Sequence, residues 1–136
     1  MALLLRSAFA CLLALTLCSP AVGQARPMTA EEFEEFTMGQ TLIYTDRSGW
    51  SGFEQYLTGR RVIWREDGGL CKLGYWYDEG ERICFVYEDS EEPVCWAAFM
   101  TGEDSLTVIA SDFGAIQDVT SQTDLPLNCP AEGEDT

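Results

Sequence analysis

The sequence predicts an all-β, mainly antiparallel domain: a meander of six or more strands that forms a small barrel or sandwich, preceded by one short helix. From Gln40 onward, short runs rich in aromatic and β-branched residues alternate with turns of Gly, Asp, Ser and Pro. The connections are so short that neighbouring strands must be antiparallel. A clear helix start precedes the first strand.

That start is the segment Thr29-Ala30-Glu31-Glu32, which matches a capping box, with Met28 and Phe33 at the two positions of a hydrophobic staple. The two glutamates in the first turn suit the positive end of the helix dipole. Gly39 is a natural end for the helix. We therefore expect a short helix that lies as a lid on the sheet.

The strand pattern covers most of the remaining chain. The segment 50–57 is ambiguous between an irregular strand and a helical turn, and residues 112–136 are expected to form a loose tail that Cys129 holds in place. Strands are predicted at about 41–45, 60–66, 70–77, 82–88, 94–100 and 105–111.

Within the strands, alternation assigns side chains to faces and identifies the first candidates for the core. Aromatic side chains are abundant after residue 25, with 4 Trp, 5 Tyr and all the Phe except Phe9. Core packing is favoured for these rings over an aromatic binding floor. The candidate sets are Leu73, Tyr75 and Tyr77; Ile83, Phe85 and Tyr87; and Val94, Trp96, Ala98 and Met100.

The N-terminus has the features of a cleavable signal peptide over residues 1–25. Arg6 is followed by an apolar run, 7–17, and then by small and turn residues, 19–25. Cleavage is predicted after Ala25, with cuts near residues 21 and 23 as alternatives. A membrane anchor and a lipidated Cys18 are less favoured, because the run is shorter than the ~20 residues that span a bilayer and bulky Leu17 precedes the cysteine. The mature protein is expected to be periplasmic or secreted, without stable membrane insertion.

Removal of residues 1–25 leaves one domain, 26–136, that keeps all 23 acidic residues and 7 of the 8 basic ones, a net charge of −16. Such a charge repels nucleic acid and anionic lipid, and it attracts basic proteins. We therefore expect no nucleic-acid partner and consider a basic protein the more suitable partner. The sequence indicates no oligomeric state.

Four cysteines remain in the mature chain, Cys71, Cys84, Cys95 and Cys129, an even number typical of disulfides in a small exported domain. Hairpin register places Cys84 opposite Cys95 or one step away, which leaves Cys71 for Cys129. A zinc site is the alternative, but the chain has no C-x-x-C pair.

No catalytic, cofactor-binding or metal-binding residue is predicted. The sequence has no histidine, and with 23 acidic residues, pairs of carboxylates carry no information. The acidic turns 78–81 and 88–92 would bind calcium if they gathered at one rim, but a solvated rim that protects sheet edges is favoured. The basic cluster Arg60, Arg61 and Arg65 is expected to neutralise nearby carboxylates, with orientation of an anionic ligand at a sheet edge as the alternative.

The segments 28–32, 39–41, 74–77 and 83–85, with Cys95-Trp96, together resemble a family of small exported alphaproteobacterial proteins of uncharacterised function. The resemblance covers about residues 28–100 and implies an exported, disulfide-bonded β-domain behind a short helix, with no catalytic residues to transfer. Gly74-Tyr75-Trp76 is also similar to the G-x-W of lipocalins, although the mature chain is short for that barrel.

The expected function is therefore that of an exported, acidic, non-enzymatic β-domain in binding or envelope maintenance. One alternative is a protein inhibitor of a basic enzyme such as a lysozyme or a protease, because acidic charge speeds that encounter. Another is a barrel for a small apolar ligand, which a cavity of roughly 300 Å³ or more would support and an interior filled by its own rings would oppose.

Overall fold

The computed structural model describes residues 25–129. The predicted signal peptide lies outside the described residues except for Ala25, so it stays a prediction, as does the cleavage position. Residues 130–136 at the other end are also outside this range.

The described chain is an antiparallel barrel of eight strands, in which each strand pairs with its neighbours in sequence and β8 pairs with β1 to close the cylinder. The prediction of an all-β meander with one short helix is confirmed, and the architecture is a barrel. Closure leaves no free sheet edge. The elements are α1 (Ala30–Thr37), β1 (Thr41–Thr45), β2 (Ser51–Leu57), β3 (Arg61–Glu66), β4 (Lys72–Glu79), β5 (Arg82–Tyr87), β6 (Val94–Gly102), β7 (Ser105–Ala110) and β8 (Ile116–Thr123).

The helix begins at the predicted capping box. The Glu32 N–H donates to Thr29 Oγ1 at 3.2 Å, and the Thr29 N–H donates to Glu32 Oε2 at 2.9 Å. The chain leaves the helix through Gly39 with φ of 73°, a left-handed conformation that favours glycine. Sequence chemistry thus accounts for both ends of α1.

The helix closes one end of the barrel, which we call the closed end; the opposite end is the mouth. Phe33 of α1 is 1% exposed and its ring meets Tyr56 and Trp76 edge to face, with centroids 5.7 and 5.3 Å apart. Before the helix, the Met28 N–H donates to the Ala98 carbonyl of β6 at 2.7 Å. Phe33 therefore works as a hydrophobic plug.

Arg60, which follows β2, fastens this plug to the wall. Its guanidinium forms ion pairs with Glu34 of α1 at 3.3 Å and with Asp78 of β4 at 2.9 Å. The same group lies over the Trp76 ring, 4.4 Å from the centroid. The expected role in neutralising carboxylates is thus observed for Arg60, whereas within residues 25–129 Arg61 and Arg65 form no ion pair.

Two segments differ from the sequence-based expectation. Residues 116–123, expected within the loose tail, form β8. Few of its side chains point inward, buried Val119 among them, but β1 and β7 both supply backbone hydrogen bonds, and these stabilise the strand. The ambiguous segment 50–57 is mostly β2, where alternation of buried and half-buried residues is regular.

The predicted inward face of β4 is wrong. Leu73 and Tyr75 are 57% and 52% exposed, whereas Trp76 is 3% exposed and points inward with Gly74. Apolar residues occupy both faces of this strand, so alternation alone does not choose between them. The large Trp76 ring fills the closed end, and the outer face is left with Tyr75, whose hydroxyl tolerates water. The inward sets of β5 and β6 face the interior, apart from exposed Met100 at the end of β6.

Two disulfides, Cys84–Cys95 and Cys71–Cys129, join the pairs that hairpin register favoured. Cys84 lies directly opposite Cys95 between β5 and β6. The second bond fixes the segment after β8, which also accepts a hydrogen bond from Thr41 Oγ1 at the Leu125 carbonyl. That final segment is held along the outside of the barrel.

The Cys71–Cys129 bond is expected to stabilise the barrel mainly by closing a long loop. With a sequence separation of 58 residues, the chain-entropy model gives about 4 kcal/mol for the loss in the free energy of unfolding of a Cys71→Ala/Cys129→Ala variant. Urea denaturation of the variant and the wild type measures it. In excess reductant the difference should vanish, and a difference of the same size there would show that side-chain packing, not the cross-link, is responsible.

Candidate functional site

The barrel encloses a cavity of about 220 Å³ that is open at the mouth. This is below the roughly 300 Å³ expected of a barrel that holds a ligand, so the volume alone does not support that alternative. The interior is therefore partly filled by its own rings, which also form most of the cavity wall. Aromatic side chains dominate the lining: Phe33, Tyr44, Trp50, Tyr56, Trp64, Phe85, Tyr87, Trp96 and Phe113.

The rings are arranged by depth. Phe33 and Tyr56 form the floor above the closed end, and both are almost completely buried. At the mouth, Phe113 of the β7–β8 turn is 65% exposed and meets Trp96 edge to face, with centroids 6.0 Å apart. The cavity thus has a buried floor and an exposed aromatic lip.

Glu54 is the one carboxylate in the lining of this cavity, as far as the described residues show. It lies in the middle of β2, between Leu42 of β1 and Trp64 of β3, and is 2% exposed. The Tyr87 hydroxyl, from the far side of the barrel, donates to its two carboxylate oxygens at 3.1 and 3.3 Å. Among the described residues, Glu54 has no salt bridge to a cation.

Burial raises the pKa of Glu54 well above its ordinary value, because water is removed from the charged form, and the hydrogen bond from Tyr87 opposes this only in part. The pKa of Tyr87 is also raised, first by burial and then by the negative charge of Glu54. The pair is therefore a buried acid beside a phenol that stays protonated.

Two further phenols share the floor. The hydroxyls of Tyr44 and Tyr56 lie 2.7 Å apart and hydrogen-bond to each other. Burial raises the pKa of both phenols, so both keep their protons. Together with Glu54 and Tyr87 they form a small polar group in an otherwise apolar interior.

Glycines at two inward positions determine where the rings lie. A Cβ on Gly52 would come within 2.1 Å of the Trp64 ring, and one on Gly74 would lie 2.6 Å from the Val86 carbonyl oxygen and 2.7 Å from Cδ1 of Tyr87. Because a glycine has no side chain, the Trp64 ring can lie over Gly52 and the Tyr87 ring over Gly74. The glycine of the G-x-W sequence thus makes room for the ring that bonds Glu54.

The predicted core residues of β5 and β6, apart from Met100, line this cavity, whereas the cysteines and the acidic turns singled out by sequence do not converge on it. Cys84 and Cys95 alternate with inward residues and lie on the outer side of their strands. Glu79 is close to their sulfur atoms, but these are joined in a disulfide and are not available as thiolate ligands for zinc.

The two acidic turns do not gather at one rim. Residues 78–81 connect β4 to β5 at the closed end, whereas residues 88–92 follow β5 at the mouth. Some of their charge is neutralised locally, by the pairs Arg60–Asp78, Arg82–Glu79 and Lys72–Asp89. A calcium site shared by the two turns is therefore excluded by the strand that separates them.

Sequence reasoning missed Glu54. The available signal is a charged residue at an inward position of the segment 50–57, between Gly52 and Tyr56, but the sequence does not decide between a strand and a helical turn for that segment. For Tyr87 the alternation predicts only a place in the core. Their pairing across the barrel depends on closure, which the sequence pattern does not specify.

Comparison of the chain with protein-family models, with curated proteins and with solved structures gives no match. Within residues 25–129, no helix has the length and apolar character needed to span a bilayer.

Replacement of Gly74 by alanine is expected to destabilise the protein by about 1–3 kcal/mol, because the new methyl group meets fixed backbone and the Tyr87 ring. The matched control is Gly102→Ala, whose Cβ would meet only the mobile Oγ of Ser105. Urea denaturation of both variants measures the effect, and equal stability of the two would contradict this account of the cavity wall.

Glu54→Gln is expected to stabilise the protein increasingly as the pH rises. Since the pKa of Glu54 is raised on folding, the folded state binds its proton more tightly, and wild-type stability falls as pH rises from the unfolded pKa towards the folded one. The glutamine variant does not lose stability in this way. The difference in the free energy of unfolding between the two proteins should therefore grow by at most about 1.4 kcal/mol per pH unit.

Urea denaturation of the wild type and the variant between pH 4 and pH 8 tests this. Glu35→Gln removes an exposed carboxylate, so an effect of net charge alone would appear in both variants. If the free energies of unfolding of Glu54→Gln and wild type differ by the same amount at every pH in this range, Glu54 is not a buried ionisable group.

Proposed function

We propose that this protein is an exported binding domain that holds a small, mainly apolar ligand inside its barrel. The observation that carries the proposal is an open cavity of about 220 Å³ lined by aromatic rings, with a single buried carboxylate at mid-depth. Pockets of this composition, mostly apolar with a few placed polar groups, are typical of ligand sites.

The size of the cavity limits the ligand. At about 220 Å³ it is smaller than the pockets that hold drug-sized molecules, so the ligand should have one ring, two fused rings or a short branched chain. The rings of the floor are packed against one another and against α1. The cavity therefore cannot be enlarged towards the closed end without disrupting the core. A ligand would enter past Trp50, Trp96 and Phe113 at the mouth.

A binding role without catalysis fits the chemistry of the cavity. Glycosidase-type hydrolysis needs two carboxylates, and Glu54 is the single one that lines the described cavity. The three phenols beside it, Tyr44, Tyr56 and Tyr87, keep their protons because burial raises the pKa of each. The three phenols therefore serve recognition better than proton transfer near neutral pH.

Export belongs to the same proposal. The two disulfides are of the kind that persists in oxidising compartments, and the predicted signal peptide would direct the chain there. With a net charge of −15 for the full sequence, the domain would stay soluble and resist association with anionic envelope surfaces. A periplasmic or secreted carrier or sensor of a small molecule is the role this combination supports.

Filling the cavity should abolish binding of a small neutral probe. Val94 lines the cavity, so Val94→Phe would place a ring inside it, whereas Ala97→Phe places the same ring on the outer side of the same strand. Isothermal titration with indole should give one site in the wild type and in Ala97→Phe, and at least tenfold weaker binding in Val94→Phe.

Circular dichroism and urea denaturation establish that both variants are folded. Equal binding of indole by the two variants would locate the probe outside the barrel, and absence of binding by the wild type would contradict the proposed function.

A further inference from the structure

We propose that the ligand of the cavity is a small organic monocation, an alkylammonium or methylated ammonium group on an apolar body, whose charge lies against Glu54. This inference rests on the proposed function, since it specifies the chemical class of the ligand of the same cavity.

The first observation is that Glu54 is a buried acid without a counter-ion. Its side chain faces the cavity at 2% exposure, and its only hydrogen bonds among the described residues come from the Tyr87 hydroxyl. A carboxylate has about four acceptor positions, so the side facing the cavity keeps capacity for a donor. Burial of the charged carboxylate without a counter-ion is costly, and a buried acid that faces a cavity in this way is a candidate for a functional group.

The groups that face Glu54 are neutral on every side. Leu42 of β1 and Trp64 of β3 are its cross-strand neighbours, and Tyr87 reaches it from β5. Tyr44 and Tyr56 complete the polar group on β1 and β2. The basic side chains nearest to this part of the chain are engaged elsewhere: Arg65, opposite Phe53 in the β2–β3 pair, lies over the Phe53 ring at 5.1 Å. Arg60 pairs with Glu34 and Asp78, and Lys72 pairs with Asp89. When Glu54 is ionised, its counter-charge therefore has to come from a ligand.

The second observation is the aromatic wall, which suits a cation by itself. The Phe85 and Tyr87 rings are parallel within 7°, with centroids 6.3 Å apart, and Trp64 lies beside Tyr87 at 6.4 Å. Ring faces carry negative electrostatic potential and attract ammonium groups, most strongly where water is excluded. A carboxylate within an aromatic enclosure thus offers a cation two attractions in one place.

The charge around the mouth favours the same ligand class. The turn after β5 contributes the exposed Glu88, Glu91 and Glu92 at this end of the barrel, which have no ion pair among the described residues, while Asp89 is paired with Lys72. A surface of this sign raises the local concentration of cations and disfavours anionic ligands. With one carboxylate at depth, the complement is a single positive charge.

The test uses matched pairs of probes that differ in charge and little in shape: choline with 3,3-dimethylbutan-1-ol, and benzylammonium with benzyl alcohol. Isothermal titration at pH 8 on the full mature domain should show the cation binding at least about tenfold more tightly than its neutral partner in one pair or both. In Glu54→Gln this preference should disappear, while Glu35→Gln should keep it.

The outcomes separate the two proposals. If the neutral probes bind as tightly as the cations in both pairs, or if Glu54→Gln keeps the preference, the cation is the wrong ligand class and the cavity remains a site for neutral molecules. If neither charged nor neutral probes, indole included, bind to the wild type, the proposed function fails as well. Circular dichroism verifies that Glu54→Gln is folded.

Discussion

Closure of the barrel by the β1–β8 pair is the constraint on which the rest of the structure depends. Closure satisfies the backbone of both terminal strands and defines an inside with a fixed, small diameter. An eight-stranded barrel has just enough room for side chains, so any space that remains must be created by particular residues. Here the space comes from glycines at inward positions and from rings that lie along the wall.

The two ends of the barrel are built differently. At the closed end, the Phe33 plug, the ring of Trp76 and the Arg60 ion pairs form a dense, fixed cluster. At the mouth, the rings are partly exposed and the connecting turns are acidic. Stability is concentrated at the first end and accessibility at the second, a division that suits a binding cavity.

The sequence predicted what depends on local chemistry. The capping box determined where α1 begins, turn residues separated the strands, and hairpin register favoured the pairs Cys84–Cys95 and Cys71–Cys129. It could not predict what depends on closure. β8 has few apolar residues and gains its stability from the ladders on both sides, and β4 has apolar residues on both faces.

The candidate site also depends on closure of the barrel. Glu54 and Tyr87 are 33 residues apart and belong to strands that are not neighbours, so no local pattern brings them together. A buried acid opposed by a phenol is the kind of local conflict that natural proteins keep at functional positions. The central claim is therefore that the space beside Glu54 is a ligand site.

The four tryptophans allow a direct measurement of that claim. Trp50, Trp64 and Trp96 line the cavity, whereas Trp76 is packed beneath Arg60 at the closed end. In a titration of the ¹⁵N-labelled domain with benzylammonium and benzyl alcohol, the indole N–H signals of the three lining residues should shift with one common Kd, while that of Trp76 stays in place. If the three lining signals do not shift when the probes are in large excess, or if the Trp76 signal alone shifts, the space beside Glu54 is not a ligand site.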